Sequence, residues 1–389
     1  MNERIDGTLT IGTDHRFIRY DGAIYDTYCF DRQFFSQYRR HFCDVQVLAR
    51  IENVLVLPEG ARPVEGDGVT IIPIARQRHL PVHQRQSRRK IAEAVQGSHA
   101  VCARLPSRIG SALLTAAARS NRPAMFELIG DPRESLRSAL PWPLGPAGSR
   151  IAGWQLRREV RHLSIGSYVS RQHLQEAYPA SPGAYTEAIS SIRLLPDWMK
   201  YPRKLSGPPE TLRLVLVASL IPVKNHKTLL RAAAEAARKR SLAVHLVGDG
   251  PLRRELEDLS DHLGIRSLVH FHGHVSSRNV LAKLLDESDV FTMTSYTEGL
   301  PRAMIEAMAR GVPAIGTAVG GIRELLPPAA LVPPGDHVAL AQTLLDLDAS
   351  RLNELSRLAY ATALEYGDNL LTSRRDQLLF RLRIASRQQ

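Results

Sequence analysis

The order of apolar runs in the second half of the chain constrains the fold more than any other feature. Strand-length runs at 212–219, 242–247, 268–272, 289–294 and 312–317 alternate with helical patterns at 227–240, 252–263, 300–310 and 338–347. The connections are short and hold suitable boundary residues. Gly248-Asp-Gly-Pro251 breaks one strand, with Pro251 suited to the first turn of the next helix, and Gly311 stops another. Near-continuous apolar strands separated by helices require a parallel sheet covered on both faces. The first half alternates as well. Its strand candidates are 8–11, 44–49, 69–74, 100–105, 124–129 and 163–169, and its helices 32–41, 109–120 and 171–177.

The expected architecture is α/β, with two Rossmann-like, doubly wound parallel-sheet domains facing a central cleft. The first spans 1–200 and the second 201–365. Residues 366–389, beyond a break near Gly367-Asp368, are expected to form a C-terminal helix packing back toward the first domain. The boundary falls within 196–209, where Pro196, Pro202, Gly207, Pro208 and Pro209 cluster.

A length of 389 residues with 44% hydrophobic content suffices for two such cores. No apolar run approaches the roughly 20 residues of a membrane span, and the first six residues lack an apolar signal core. Cys29, Cys43 and Cys102 are too few and scattered for a disulfide framework or a zinc site. These features imply a cytoplasmic protein. The net charge of +12 is uneven: residues 1–205 hold 29 basic and 19 acidic side chains, the remainder 22 and 20. Arg76, Arg78, Arg85, Arg88, Arg89 and Lys90 are the densest group. They suit peripheral contact with the acidic inner face of a membrane, or a phosphate-bearing acceptor; a solvated basic face is the plain alternative. Nucleic acid is not expected, because the basic segment lacks interleaved aromatics and no DNA- or RNA-binding motif is present.

In open α/β sheets ligands bind beyond the C-terminal ends of the strands. In the second half those ends carry the loops 219–225, 248–251, 295–301 and 317–322. The third feeds directly into a helix, so the backbone N–H groups of Gly299, Leu300 and Arg302 are available to an anion. Pro301 has no N–H to lose there. Glu298 precedes the turn and can reach a sugar hydroxyl. Glu306 sits eight positions on, in an otherwise apolar stretch where a carboxylate needs a partner; paired ribose hydroxyls would serve. Lys224 follows the first strand of this half and can place a cation on a diphosphate. Gly320-Gly321 permits close backbone approach to a ligand. In the first half, Arg104 and Arg108 could face a departing diphosphate or an acidic acceptor, and Asp131 follows a strand at a cleft-facing end. Asp346-Leu-Asp348 has the form of a metal-binding pair but lies in a Leu-rich helical segment, so no metal is assigned and no cofactor is expected.

The second half resembles the donor-binding domain of retaining GT-B glycosyltransferases of family GT4. The resemblance rests on Val217-Ala-Ser-Leu-Ile-Pro-Val-Lys224-Asn225, Leu246-Val-Gly-Asp-Gly-Pro251, Val269-His-Phe-His-Gly273, Glu298-Gly-Leu-Pro-Arg-Ala-Met-Ile-Glu306 through Pro313, and Val319-Gly-Gly-Ile-Arg-Glu324. It covers about 212–345. It implies that Glu298 contacts the transferred sugar, Glu306 the ribose and Lys224 the diphosphate, with Ser219 and Gly248 in the donor site and the amides of 299–302 on the phosphates. It also implies a UDP- or GDP-linked sugar as donor, a glycan or lipid-linked hydroxyl acceptor, and catalysis by Glu298 and Lys224 without a metal. Two departures stand out. The family usually has Arg where Ser219 stands, and the first half lacks the family's glycine-rich loop, Asp21-Gly22 being the nearest candidate. Segments such as Arg104-Leu-Pro-Ser107 and Ile129-Gly-Asp-Pro132 are similar to a bacterial branch linked to exopolysaccharide or capsule assembly. The alternatives are a GT-B-fold nucleotide-sugar epimerase and a non-catalytic subunit of a polysaccharide assembly complex.

Overall fold

The computed structural model describes residues 5–27, 30–75, 81–133 and 144–387. Cys29, Arg76 and Arg78 lie outside them. The N-terminal part runs β1 (Ile5–Tyr20), β2 (Ala23–Asp26), α1 (Arg32–Arg39), β3 (Phe42–Asn53), β4 (Arg62–Pro63), β5 (Val69–Pro73), α2 (Pro81–Gln96), β6 (Ala100–Leu105), α3 (Arg108–Arg119), β7 (Ala124–Leu128), α4 (Leu144–Val160), β8 (Ile165–Tyr168), α5 (His173–Ala177) and β9 (Tyr185–Ala188). The C-terminal part runs β10 (Leu212–Val217), α6 (His226–Ala236), β11 (Leu242–Val247), α7 (Arg253–His262), β12 (Val269–Gly273), α8 (Arg278–Glu287), β13 (Val290–Met293), α9 (Arg302–Ala309), β14 (Ala314–Thr317), α10 (Ile322–Leu325), β15 (Leu331–Val332), α11 (His337–Leu345), α12 (Ala349–Leu364) and α13 (Asp368–Arg387).

Each part has its own sheet. The C-terminal sheet is parallel throughout, in the order β12-β11-β10-β13-β14-β15. The strand order reverses between β10 and β13, which opens a crevice beyond their C-terminal ends. The N-terminal sheet has a parallel body, with β1 flanked by β3 and β6. It also carries an antiparallel extension, β1-β2-β4, that sequence alternation does not reveal. The tight turn at Asp21 and Gly22, both at positive φ, starts this extension. Asp21-Gly22, the nearest candidate for the family's glycine-rich loop, is therefore a hairpin turn.

The cores follow the sheets. Leu214, Val215, Leu216, Leu246, Phe291 and Ile315 are fully buried beneath the helices of the C-terminal part. Leu9, Phe35, Phe42, Val45 and Met125 centre the largest N-terminal cluster, and Leu378, Leu379 and Leu382 of α13 complete it. The last helix thus crosses back onto the N-terminal sheet, tied by Asp376 to Arg40 and His41. The proline-rich linker packs on the C-terminal core through buried Trp198, which is sandwiched by Arg278 and Arg310 at 4.6 and 4.8 Å. Asp346 and Asp348 sit at the junction of α11 and α12, not inside a helix: Asp348 caps α12 by accepting from Arg351 N, and Asp346 accepts from Gln342.

Candidate active site

The crevice between β10 and β13 gathers the charged side chains of the C-terminal part. The chain leaves β10 through a 3₁₀ turn at Pro222–Lys224 and enters α6 through Asn225 in the left-handed conformation (φ 48°). This presents Lys224 at the strand ends. From the other side, β13 delivers Ser295 and Glu298. Lys224 Nζ lies 2.6 Å from Glu298 Oε1, and Ser295 Oγ donates to the same oxygen at 2.6 Å. Glu298 is only 8% exposed, so its charge is balanced by a single cation and one hydroxyl. Thr317 at the end of β14 donates to the Ser295 carbonyl at 2.6 Å and Thr294 to the Asn225 carbonyl at 3.0 Å. These two threonines lock the loops together. Neither they nor Ser295 announces itself in sequence, because each is one hydroxyl residue in a polar turn.

Three glycines set the floor of the crevice. Gly248 adopts φ 138°, and a Cβ there would stand 2.0 Å from the Ala218 carbonyl oxygen. The turn after β11 therefore presses on the loop that carries exposed Ser219. A Cβ on Gly320 would stand 1.9 Å from the Glu298 carbonyl oxygen, and one on Gly321 2.2 Å from that of Gly299. Gly321 N also donates to the Glu298 carbonyl at 3.0 Å. The loop after β14 clamps the loop 298–299 in this way and leaves room only for hydrogen as a side chain.

Helix α9 begins two residues later than its pattern predicts. Pro301 is the capping residue (φ −75°, ψ 99°) instead of lying inside the first turn, and it makes no side-chain cap bond. The amide end of α9 is left to an outside acceptor. One and a half turns on, Glu306 is half-buried, and among the described residues no donor meets its carboxylate. Burial pushes its pKa up, opposed by the charges of Arg302 and Arg278. Its backbone carbonyl accepts from Trp198 Nε1 at 2.9 Å, which ties the helix to the linker. An ionisable group held in an apolar wall without a partner is set up for ligand hydroxyls. Lys224, Glu298, the loop 299–302 and Glu306 thus share one edge, with Ser219 and Gly248 adjoining.

The N-terminal residues do not join them. Arg104 is 5% exposed, paired with Glu127 inside the core and covered by Phe30 and Phe34 at 5.0 and 5.3 Å from its guanidinium carbon. It lies on β6, buried along its whole length, so its side chain turns into the sheet-helix layer and not into the cleft. Arg108 is exposed at the start of α3, whose amide end is already occupied: Asp14 accepts from Arg108 N at 3.0 Å and Ser107 from Gly110 N at 3.0 Å. Asp131 is buried and bound by Arg133 and Tyr178. Burial alone would raise its pKa, but these hydrogen bonds hold it below the ordinary value. Its neighbours do reach the crevice. A Cβ on Gly299 would lie 3.3 Å from the Ile129 carbonyl oxygen, and Leu300 packs on both cores. The strand ends of the two sheets therefore face one another. Among the described residues no group of three His, Cys, Asp or Glu is arranged to hold a metal, and no helix is long and apolar enough to cross a membrane.

Comparison with known proteins bears on this edge. The family model described as Glycosyl transferases group 1 matches residues 211–349. The match covers the C-terminal part of the chain alone. Protein CapJ of Staphylococcus aureus is 23% identical over 265 residues, 66% of this chain and 65% of CapJ. The putative colanic acid biosynthesis glycosyltransferase WcaL of Escherichia coli K12 is 33% identical over 189 residues, 45% of each chain. The matches therefore span less than two thirds of these relatives. Among solved structures, HepE of Anabaena in complex with UDP and glucose superposes with a TM-score of 0.64 at 16% identity, covering 95% of this chain and 98% of its own. The lipopolysaccharide outer core galactosyltransferase WaaB gives 0.63 at 16% identity, covering 96% and 99%. The chain has the GT-B fold of these glycosyltransferases.

Proposed function

We propose that this protein is a retaining glycosyltransferase that moves a sugar from a nucleotide-diphosphate donor to a hydroxyl acceptor in bacterial surface polysaccharide or glycoconjugate synthesis. The observation that carries this reading is the convergence of Lys224, Glu298, the uncapped start of α9 and the unpartnered Glu306 carboxylate at one switch-point crevice. Lys224 and the α9 amides take the diphosphate. Glu306 accepts from the ribose hydroxyls, and Glu298 holds a hydroxyl of the transferred sugar. As the glycosidic C–O bond breaks, charge grows on the leaving phosphate, where the cation and the helix end are already aimed. The departing phosphate oxygen takes the acceptor's proton on the face it leaves, so the anomeric configuration is retained. The protein's task is positioning and charge stabilisation. The name of WcaL, a putative colanic acid biosynthesis glycosyltransferase, and the UDP bound to HepE support the class of pathway and donor.

Thermal-shift titration of the full chain with UDP- and GDP-linked sugars tests the donor, because a ligand that binds only the folded state raises Tm. Stabilisation by one nucleotide class is expected. If neither class stabilises the chain, the reading fails. Turnover of donor without any acceptor would point to epimerisation instead.

A further inference from the structure

Helix α4 carries a surface that donor binding does not use. Arg150, Ile151, Trp154, Arg157 and Arg158 are all exposed, and Arg161 follows directly. Trp154 is 62% exposed and Ile151 58%. At 3.6 residues per turn, positions 150, 154, 157 and 161 form one stripe, with 151 and 158 beside it. The Arg158 guanidinium carbon lies 5.7 Å from the Trp154 ring centre. The opposite face is ordinary core: Leu156 and Val160 are buried with Phe126 and Tyr168 under the N-terminal sheet.

The helix has one acidic residue, Glu159, and it is turned inward. Its carboxylate accepts from Ser111 Oγ of α3 at 2.8 Å, and burial raises its pKa. The outward face therefore presents an aromatic ring and a branched aliphatic side chain within a ring of arginines, and among the described residues no carboxylate pairs with them. Single exposed apolar residues need no explanation, whereas an apolar pair inside a one-sign charge ring is a recognition surface. The mounting is rigid as well. Arg133 lies across Gly153, where a Cβ would stand 2.6 Å from its Cδ, and the same guanidinium grips Asp131 just beyond β7.

We propose that this face of α4 docks onto an anionic lipid surface. Trp154 fits the headgroup level, where its ring is buried while its N–H stays wet. The arginine stems lie along the apolar boundary with their heads on lipid phosphates. A second copy of the chain is a poorer occupant, because the face would meet the same charges on its partner.

The test is co-sedimentation of the full chain with vesicles of phosphatidylcholine alone and with vesicles rich in phosphatidylglycerol, at low and high salt. Binding only to the anionic vesicles, reversed by salt, is expected. Arg150→Ala and Arg158→Ala should each weaken partitioning roughly fivefold. Trp154→Ala should weaken it further, while the Tm of each variant stays at the wild-type value. Several results would overturn the proposal: wild-type chain left in the supernatant with anionic vesicles, equal binding by the variants, or equal binding to neutral vesicles. A Trp154-dependent dimer in sedimentation velocity, with no lipid binding, would assign the face to a second copy.

Discussion

Lys224 Nζ and Glu298 Oε1, 74 residues apart in sequence, stand 2.6 Å apart across the switch point of the C-terminal sheet. One comes from the loop after β10 and the other from the loop after β13. They neutralise each other, with Ser295 as the carboxylate's second donor. Under the proposed function, a diphosphate at this edge would offer Lys224 a second acceptor and free Glu298 for a sugar hydroxyl. The pair would then serve as both a structural tie and a charge held ready for exchange.

Lys224→Ala removes the cation and leaves a largely buried carboxylate with one hydroxyl. Charge-assisted hydrogen bonds contribute about 1.5–3 kcal/mol, so donor affinity should fall roughly 10- to 100-fold, read by calorimetry with the stabilising nucleotide sugar. Glu298→Gln keeps the shape and one acceptor oxygen; it should lower kcat more than affinity. Wild-type donor affinity in Lys224→Ala, with only Tm reduced, would mean that the ion pair is structural and nothing more.

Glu306 yields a prediction of opposite sign for folding and for binding. Its carboxyl pKa is raised by burial, so the folded state holds the proton more tightly than the unfolded chain does. Folding is favoured below the ordinary glutamate pKa, and that contribution is lost as pH rises through the folded value. Glu306→Gln, which mimics the protonated form, should raise Tm at pH 7 to 8. The same change should weaken donor binding, because an amide offers the ribose hydroxyls one acceptor oxygen where the carboxylate offers two. A Tm that falls in Glu306→Gln would show that the carboxylate is satisfied within the fold.

His226, the first residue of α6, is fully buried, and among the described residues neither ring nitrogen meets a hydrogen-bond partner. Burial, with the charge of Lys224 second, pushes its pKa down to about 4. The fold therefore holds it neutral. Its contribution is complete above the unfolded pKa of about 6.5 and is lost as pH falls from there toward 4, by up to about 3 kcal/mol. Urea unfolding at pH 7 and pH 4.5 should show a large drop in wild-type stability and a smaller one in His226→Phe. Equal drops would assign the acid sensitivity elsewhere, His245 being the next group held near 4.

The sequence was readable where local pattern and tertiary structure agree. The strands of the C-terminal sheet are buried on both faces, so each reads as an unbroken apolar run, and Gly248, Gly311 and Gly320-Gly321 mark turns that tolerate no other residue. Lys224, Glu298 and Glu306 stood out as charges beside such runs. Arg104 misled because a buried arginine paired with Glu127 looks, along the chain, like any cation near a strand end. Its partner is 23 residues away, and no period connects them. Ser295, Thr317 and Trp198 were missed for the same reason: each acts on a site residue through contacts that only the packed loops and linker create. The β1-β2-β4 extension was missed because its strands are half-exposed and one has only two residues.

One carboxylate of the C-terminal part holds three backbone amides of the N-terminal part. Glu324 of α10 accepts from Arg171 N at 2.5 Å, His173 N at 2.7 Å and Gln172 N at 3.1 Å. Gln172, the N-cap of α5, makes no side-chain cap bond, so a residue of the C-terminal part caps a helix of the N-terminal part. Arg171 adds an ion pair to Glu365 at 3.0 Å. Because the edge that carries Glu298 and Glu306 faces the N-terminal strand ends, this clamp is expected to limit how far the crevice opens. Glu324→Ala removes three charge-assisted bonds at once while leaving Lys224, Glu298 and Glu306 untouched. It should raise the radius of gyration in small-angle scattering, speed amide exchange at 171–176, and lower kcat/KM about tenfold or more, since each bond contributes roughly 1.5–3 kcal/mol before water replaces it. Donor and acceptor together should restore part of the compact scattering, because a reacting pair that contacts both halves re-closes what the clamp released. Unchanged scattering and exchange in Glu324→Ala would show that the closed arrangement is held by Leu300 and its apolar neighbours alone.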